Sequence, residues 1–241
     1  MLKQINYGER LRIGLILPNR NIVAEPDFRA VLPEGVSFHT TRLHLRGTTP
    51  TDIIEMTNGV GKAAHLLSFN SLGLIAFHCT AVSTFNSGMG DRLTDEIASI
   101  TGIPAVATSQ ALVASLLALN ARRIVMVTPY SQDVNDAEIR FFSDFGIEVI
   151  TNVGMSLGPG VSTASIEPEK WMEITMQLKT PEADAYFLSC TNIRVLSVID
   201  QLEKQLSAPV ITSNQAMLWH CLRKAGILDS VQGHGVLLRS H

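Results

Sequence analysis

Short, unbroken apolar runs alternate along the whole chain with longer stretches in which apolar residues recur every three or four positions. The first pattern is that of buried strands and the second that of amphipathic helices, so the order predicts an α/β protein with a mainly parallel sheet. Strands are predicted at Arg12–Pro18, Ser37–Leu45, Leu74–Cys79, Pro104–Thr108, Ile124–Thr128, Glu148–Val153, Ala185–Cys190 and Val210–Thr212. The spacing between them predicts helices over Pro26–Leu32, Thr49–Ser68, Asp91–Ile100, Gln110–Asn120, Asp133–Phe145, Pro168–Leu178, Ile193–Leu206 and Gln215–Ala225. Pro26 reads as a first helical position. Thr49, Pro50 and Asp52 read as an N-cap, a first-turn proline and an acid at the positive helix end. Gly59 and Gly61 weaken the helix over Thr49–Ser68 from within and imply close packing there. The Gly- and Ser-rich stretch Gly154–Ser165 is the longest without a predicted element, and a loop of that length suits a lid or binding loop.

The pattern occurs twice. LIAFHCT from Leu74 is answered by AYFLSCT from Ala185, and RIGLILPNRN from Arg12 by RIVMVTPYSQ from Arg123. One offset, 111 residues, separates Arg12 from Arg123 and Cys79 from Cys190; Pro104 and Pro209, which open IPAVATSQAL-like and APVITSNQAM-like stretches, stand 105 apart. A period this long predicts two similar half-domains, not a solenoid. We place the first half at residues 1–110 plus 216–241 and the second at 111–215.

Composition narrows the function classes. A length of 241 residues, 46% hydrophobic and 17% charged, describes a compact soluble chain, and a net charge of −3 without runs of like charge predicts neither a nucleic-acid nor a membrane surface. The first residues lack the apolar segment of a signal peptide, and the expected location is cytoplasmic. Three cysteines, an odd number, argue against a disulfide framework, and no ligand spacing predicts a metal. What remains is thiol chemistry.

In open parallel sheets ligands collect at the carboxyl ends of strands. Both Cys-Thr pairs fall there, with Pro18-Asn19-Arg20-Asn21, Thr128-Pro129-Tyr130, Thr108-Ser109-Gln110 and Thr212-Ser213-Asn214. Two halves facing each other would put Cys79 and Cys190 on opposite sides of a small acid, one adding to or deprotonating a carbon while the other serves the opposite face. Cys190, just before a predicted helix, would have its thiol pKa lowered by the helix dipole. Asn21, Thr80, Tyr130, Thr191 and Asn192 are positioned to hold carboxylate or enolate oxygens. Cys221, Trp171 and Trp219 read as core, His78 points away from Cys79 by strand alternation, and Arg20, Arg42 and Arg46 could attract an acid. No phosphate loop, dinucleotide fingerprint or cofactor lysine is visible.

These residues resemble the aspartate/glutamate racemase superfamily, and within it the maleate cis-trans isomerase and arylmalonate decarboxylase branch. The resemblance runs over nearly the whole chain and includes PNRN, VTPYSQDVN, the SLG of the long loop and FLSCTN. It implies two α/β halves with the site between them, no cofactor and a homodimer or higher homo-oligomer. It also implies Cys79 as nucleophile, Cys190 as acid and base, and Asn21 and Tyr130 as substrate-binding residues, to which the strand-end stretch after Pro18 adds Asn19 as a candidate. The branch's decarboxylases have Gly at the first cysteine position, so Cys79 counts against simple arylmalonate decarboxylation. Two small residues usual before the Asn are replaced by Asn19-Arg20, and Ser162 stands where an Asn is expected. Thr191-Asn192, in place of Thr-His, weakens an amino-acid racemase reading. The sequence therefore predicts cis-trans isomerisation of a small dicarboxylic acid, with a two-thiol racemase, a decarboxylase-like enzyme or a non-catalytic acid-binding protein as alternatives.

Overall fold

The computed structural model describes residues 5–157 and 161–241. Among these, eight strands form two four-stranded parallel sheets. The first contains β1 (Leu11–Pro18), β2 (Val36–Leu43), β3 (Leu74–Phe77) and β4 (Ala105–Ala107) in the order β2-β1-β3-β4. The second contains β5 (Arg123–Thr128), β6 (Glu148–Gly154), β7 (Ala185–Leu188) and β8 (Val210–Thr212) in the matching order β6-β5-β7-β8. In each half the order reverses between the first and third strand. A crevice opens at such a switch point because successive connections leave in opposite directions.

Strand alternation divides the apolar side chains. Ile13, Leu15 and Leu17 of β1, Val125 and Val127 of β5, and Tyr186 and Leu188 of β7 enter one core shared by both sheets. Their neighbours face outward: Ile16, Ile75 and Phe77 meet α3 (Val60–Ser68) and α5 (Met89–Thr101), while Ile124, Met126 and Phe187 meet Leu112 of α6 (Thr108–Ala118) and Phe142 of α7 (Gln132–Asp144). Strands covered on both faces read as continuous apolar runs, which is why they were legible. Phe28 of α1 (Ala24–Val31), Trp171 of α8 (Pro168–Gln177), Leu202 of α9 (Ile199–Leu206), and Met217, Trp219 and Cys221 of α10 (Ser213–Lys224) line the shared core.

Several predicted boundaries are corrected. The helix expected over Thr49–Ser68 is two, α2 (Pro50–Thr57) and α3, parted at Asn58-Gly59; a Cβ on Gly59 would meet Leu43 Cδ2 at 2.7 Å, so the chain bends where it crosses β2. Thr49 caps α2 in a reciprocal capping box with Asp52. Pro26 is the third helical residue, not the first. Both cysteines lie just beyond their strands, which end at Phe77 and Leu188. A short helical turn, α4 (Thr80–Ser83), and a terminal helix, α11 (Val236–Ser240), were not foreseen. The helix expected from Ile193 begins only at Ile199, after a 3-10 turn at Leu196–Val198. Its intended first turn is drawn into contacts with the other half, where Asn192 Oδ1 accepts from the Ile22 N–H at 2.9 Å. Gly154 ends β6, and residues 158–160 of the proposed lid, including the Gly of SLG, lie outside the described residues.

Gly154 holds the Tyr130 turn in place. A Cβ there would lie 2.5 Å from Tyr130 O and 2.3 Å from Asn135 Nδ2. Gly154→Ala is therefore expected to destabilise the protein by about 1–3 kcal/mol, the usual cost of overpacking, as read by the midpoint of urea unfolding. An unchanged midpoint would mean that the turn is free to move.

Candidate active site

The four segments that leave the two switch points meet at the junction of the halves. Asn21 follows β1, Cys79 follows β3, Tyr130 follows β5 and Cys190 follows β7. Asn21, Cys79, Thr80, Cys190 and Thr191 are all buried. Asn21 Nδ2 donates to Thr191 Oγ1 at 2.9 Å and to Thr191 O at 3.0 Å, while its Oδ1 accepts from the N–H groups of Val23 and Ala24. That last pair fixes the chain at the start of α1. Thr80 Oγ1 donates to Ser213 Oγ at 2.8 Å, and the same oxygen accepts from the Cys190 N–H at 3.2 Å. Ser213, the first residue of α10, thus joins the Cys-Thr pair of one half to that of the other.

Cys190 has φ 119°, outside the regions an L residue favours, at a cost on the order of 1–3 kcal/mol. The strained backbone leaves its sulfur accepting from the Asn192 N–H at 3.4 Å, with Tyr130 and Thr163 near enough to favour the thiolate. Cys79 stands at the N-cap of α4, its side chain making no cap hydrogen bond.

The expected lowering of the Cys190 pKa is overturned. Burial raises the Cys190 thiol, against the pull of Tyr130, Asn192 and Thr163, because no helix starts at that residue. Burial likewise pushes Cys79 up to about 12, with Val82 opposing and the charge of an ionised Cys190 adding to the rise. Tyr130, half-buried, is raised for the same reason. Both thiols are neutral at neutral pH. The mutual influence of the sulfurs places them in one local field.

Other expected residues divide between the junction and the surface. Asn192 bridges the Ile22 N–H and Thr163 Oγ1, the latter at 2.9 Å. Asn19 is exposed and commits its amide to the Leu45 N–H and His44 Nδ1, and no described hydrogen bond joins it to either cysteine. Arg42 donates to Asn21 O at 2.6 Å and pairs with Glu25, so it braces the loop after β1; Arg46 pairs with Glu55 at 3.8 Å on the surface. Ser162 accepts from the Ala164 N–H, and Thr163 beside it is the residue that reaches Cys190. His78, wholly buried, lies 3.1 Å from Thr108 Oγ1 and 2.9 Å from Asn214 Oδ1, whose Nδ2 donates to Asp27. Burial takes His78 down to about 4 and Asp27 up to about 6, so the ring is neutral, donating from Nε2 to Asn214. Cys221 sits in the shared core, its sulfur 3.7 Å from Met217 Sδ.

Sequence reasoning missed the roles of Ser213, Thr163 and Glu138. Ser213 lay in a stretch singled out at a strand end, but its partner Thr80 is distant in sequence. Glu138, within a helical pattern, reads as a surface acid, yet it is wholly buried, lies 2.9 Å from Ser189 Oγ, and is raised to about 8 by burial.

The fold and the junction define a class: α/β proteins built of two like halves that each contribute a thiol to one buried site. The chain belongs to the arylmalonate decarboxylase family, whose model matches residues 13–238. It is 24% identical to a maleate isomerase of Geobacillus stearothermophilus, over 96% of this chain and 98% of that protein. It is 27% identical to an arylmalonate decarboxylase of Bordetella bronchiseptica, over 89% and 90%. Among solved structures it superposes with a TM-score of 0.91 on a mutant Nocardia farcinica maleate cis-trans isomerase with a covalently bound succinylcysteine intermediate, at 22% identity over 96% of this chain and 99% of that one.

Two outcomes follow from the state of Cys190 and Cys79. Iodoacetamide at neutral pH should alkylate either thiol in the ligand-free protein more slowly than a free cysteine, as followed by peptide mass spectrometry; labelling as fast as the free thiol would contradict their neutral, buried state. Cys190→Gly should be more stable than Cys190→Ala by about 1 kcal/mol, since only glycine adopts that φ without strain. Equal unfolding midpoints would show that the backbone relaxes.

Proposed function

We propose that the protein is a cofactor-independent isomerase that converts maleate to fumarate by reversible thiol addition. The observation that carries the reading is the burial of one thiol from each half at a single junction, where Ser213 Oγ joins Thr80 to the Cys190 N–H. Relatives named maleate isomerase, aligned over almost the entire chain, support it.

Rotation about a C=C bond is prohibitively slow and rotation about a C–C bond is fast. The chemistry therefore has to remove and restore a double bond. As the acid enters, Cys79 releases its proton to water and its sulfur bonds to C2; the π pair moves toward C3, and Cys190 gives its S–H proton to C3. The adduct turns about C2–C3. Cys190 then takes a proton back from C3, the C2–S bond breaks and fumarate leaves, with Cys79 again a thiolate. Asn21, Thr80, Thr191 and Asn192, with neighbouring backbone N–H groups, hold the carboxylates, and the Tyr130 hydroxyl steadies Cys190. Asn19 lines the approach. The two sulfurs supply both nucleophile and acid, so no cofactor is required.

We read the halves as residues 1–110 with 216–241 and 111–215, a division supported by Leu112 packing on the second sheet and Met217 beside α1. The reading places the enzyme in the cytoplasm as a homodimer; no helix among the described residues is long and apolar enough to cross a membrane.

Proton NMR in D2O is the test, with maleate and then D- and L-aspartate and glutamate offered separately. Fumarate is expected from maleate alone. Cys79→Ser should lower that rate by about 10³-fold or more while the far-ultraviolet dichroism stays unchanged. Deuterium at Cα of an amino acid, with maleate untouched, would replace the isomerase by a racemase.

A further inference from the structure

Glu138 of α7 is a wholly buried acid to which the chemistry above gives no part. Ser189 Oγ lies 2.9 Å from each of its two oxygens, and Thr84 Oγ1 lies 3.4 Å from Oε1. Ser189 immediately precedes Cys190; Thr84 closes the turn α4 that follows Cys79. One side chain thus touches both cysteine-bearing segments. None of the ion pairs among the described residues involves it.

A carboxylate that deep without a cation is strongly disfavoured. The hydrogen-bond inventory points the same way. A serine hydroxyl has one proton to share between two equidistant oxygens, and Thr84 gives its own at 2.9 Å to Thr80 O, so an ionised carboxylate would have a single full donor for both oxygens. A protonated carboxyl completes the set, accepting on one oxygen and donating from the other.

We propose that Glu138 is a positioning residue that works as a neutral carboxylic acid, tying the segment before Cys190 to the segment after Cys79 and keeping charge away from the two sulfurs. Burial holds its pKa at about 8, against the opposing pull of Ser189 and Thr84. The titratable groups that feel its charge are Cys79 beyond β3, Cys190 beyond β7 and Tyr130 beyond β5, and ionisation of Glu138 raises all three. An ionised Glu138 therefore opposes the thiolate that addition requires, and turnover declines as it loses its proton.

The kinetic arm of the test rests on the isomerase reading; two further arms do not. Turnover of maleate by the wild type should fall as pH passes through about 8. Glu138→Gln, whose amide keeps one acceptor and gains a donor, should match the wild type at neutral pH to within a few-fold and lose that decline. Glu138→Ala, which leaves the Ser189 hydroxyl unpaired and cuts the link to Thr84, should lose at least about tenfold.

Without substrate, the native state keeps the Glu138 proton up to about 8, whereas an unfolded glutamate releases it near 4.5, so wild-type stability falls as pH rises across that window. The Tm of Glu138→Gln should gain steadily on that of the wild type over the same range. The infrared carbonyl band of a protonated carboxyl should be present in the wild type at neutral pH, fade at alkaline pH and be missing from the variant. A Glu138→Gln enzyme as inactive as Glu138→Ala, a Tm difference that ignores pH, or the absence of the acid band would each overturn the proposal. Should the wild type leave maleate untouched, the isomerase reading alone fails, and Tm and infrared still decide the state of Glu138.

Discussion

The structure depends on a polar seam buried between its halves. Thr80 and the Cys190 N–H both end on Ser213 Oγ and Asn21 ends on Thr191, while at the exposed rim the Ile22 N–H ends on Asn192. Each of these groups comes from a different half than its partner or is tied to one that does. If the halves slid apart by a fraction of a residue, buried donors and acceptors would be left unpaired at about 1–3 kcal/mol each. The apolar core shared by the two sheets supplies adhesion without direction. The seam supplies the registry that brings two thiols into one site.

Topology explains why the seam lies where it does. Both sheets have the same strand order and both reverse it between the first and third strand, so the loops carrying Asn21 and Cys79 in one half, and Tyr130 and Cys190 in the other, leave the same kind of crevice. Facing the crevices toward each other makes one closed site from two open ones. The halves are not equal partners. Cys79 opens a regular helical turn, whereas Cys190 is held at positive φ and ringed by Asn192, Thr163 and Tyr130. That asymmetry suits the division of labour proposed above, one sulfur adding to carbon and the other passing a proton.

Burial drives every ionisable group at the junction toward its neutral form. Cys79, Cys190, Tyr130 and Glu138 hold their protons, and His78 lies uncharged behind them. A dicarboxylic acid entering such a site meets hydrogen-bond donors and no competing negative charge. The buried chain from Asn214 through His78 to Thr108 fixes the end of β3 from the rear, with the His78 ring uncharged.

Much of this was legible in one dimension. Strands buried on both faces appear as unbroken apolar runs, and a duplication preserves its own spacing, so the α/β order, the two halves and the matched Cys79-Thr80 and Cys190-Thr191 pairs could be read directly from neighbouring residues. The errors fell where a distant segment competes with local preference. Asn58-Gly59 breaks a helix because Leu43 of β2 is in the way, and the stretch after Cys190 forgoes helix because Asn192 is engaged by Ile22. Protonation was beyond reach for the same reason: a thiol's pKa depends on how much water the fold removes, and Glu138 looks like any helical surface acid until Ser189 and Thr84 close over it. Sequence by itself determined which residues could do thiol chemistry, because residue identity and period are local properties. Tertiary structure alone decided their charge, their strain and their partners, because desolvation and hydrogen-bond registry arise only when segments far apart in the chain are packed together.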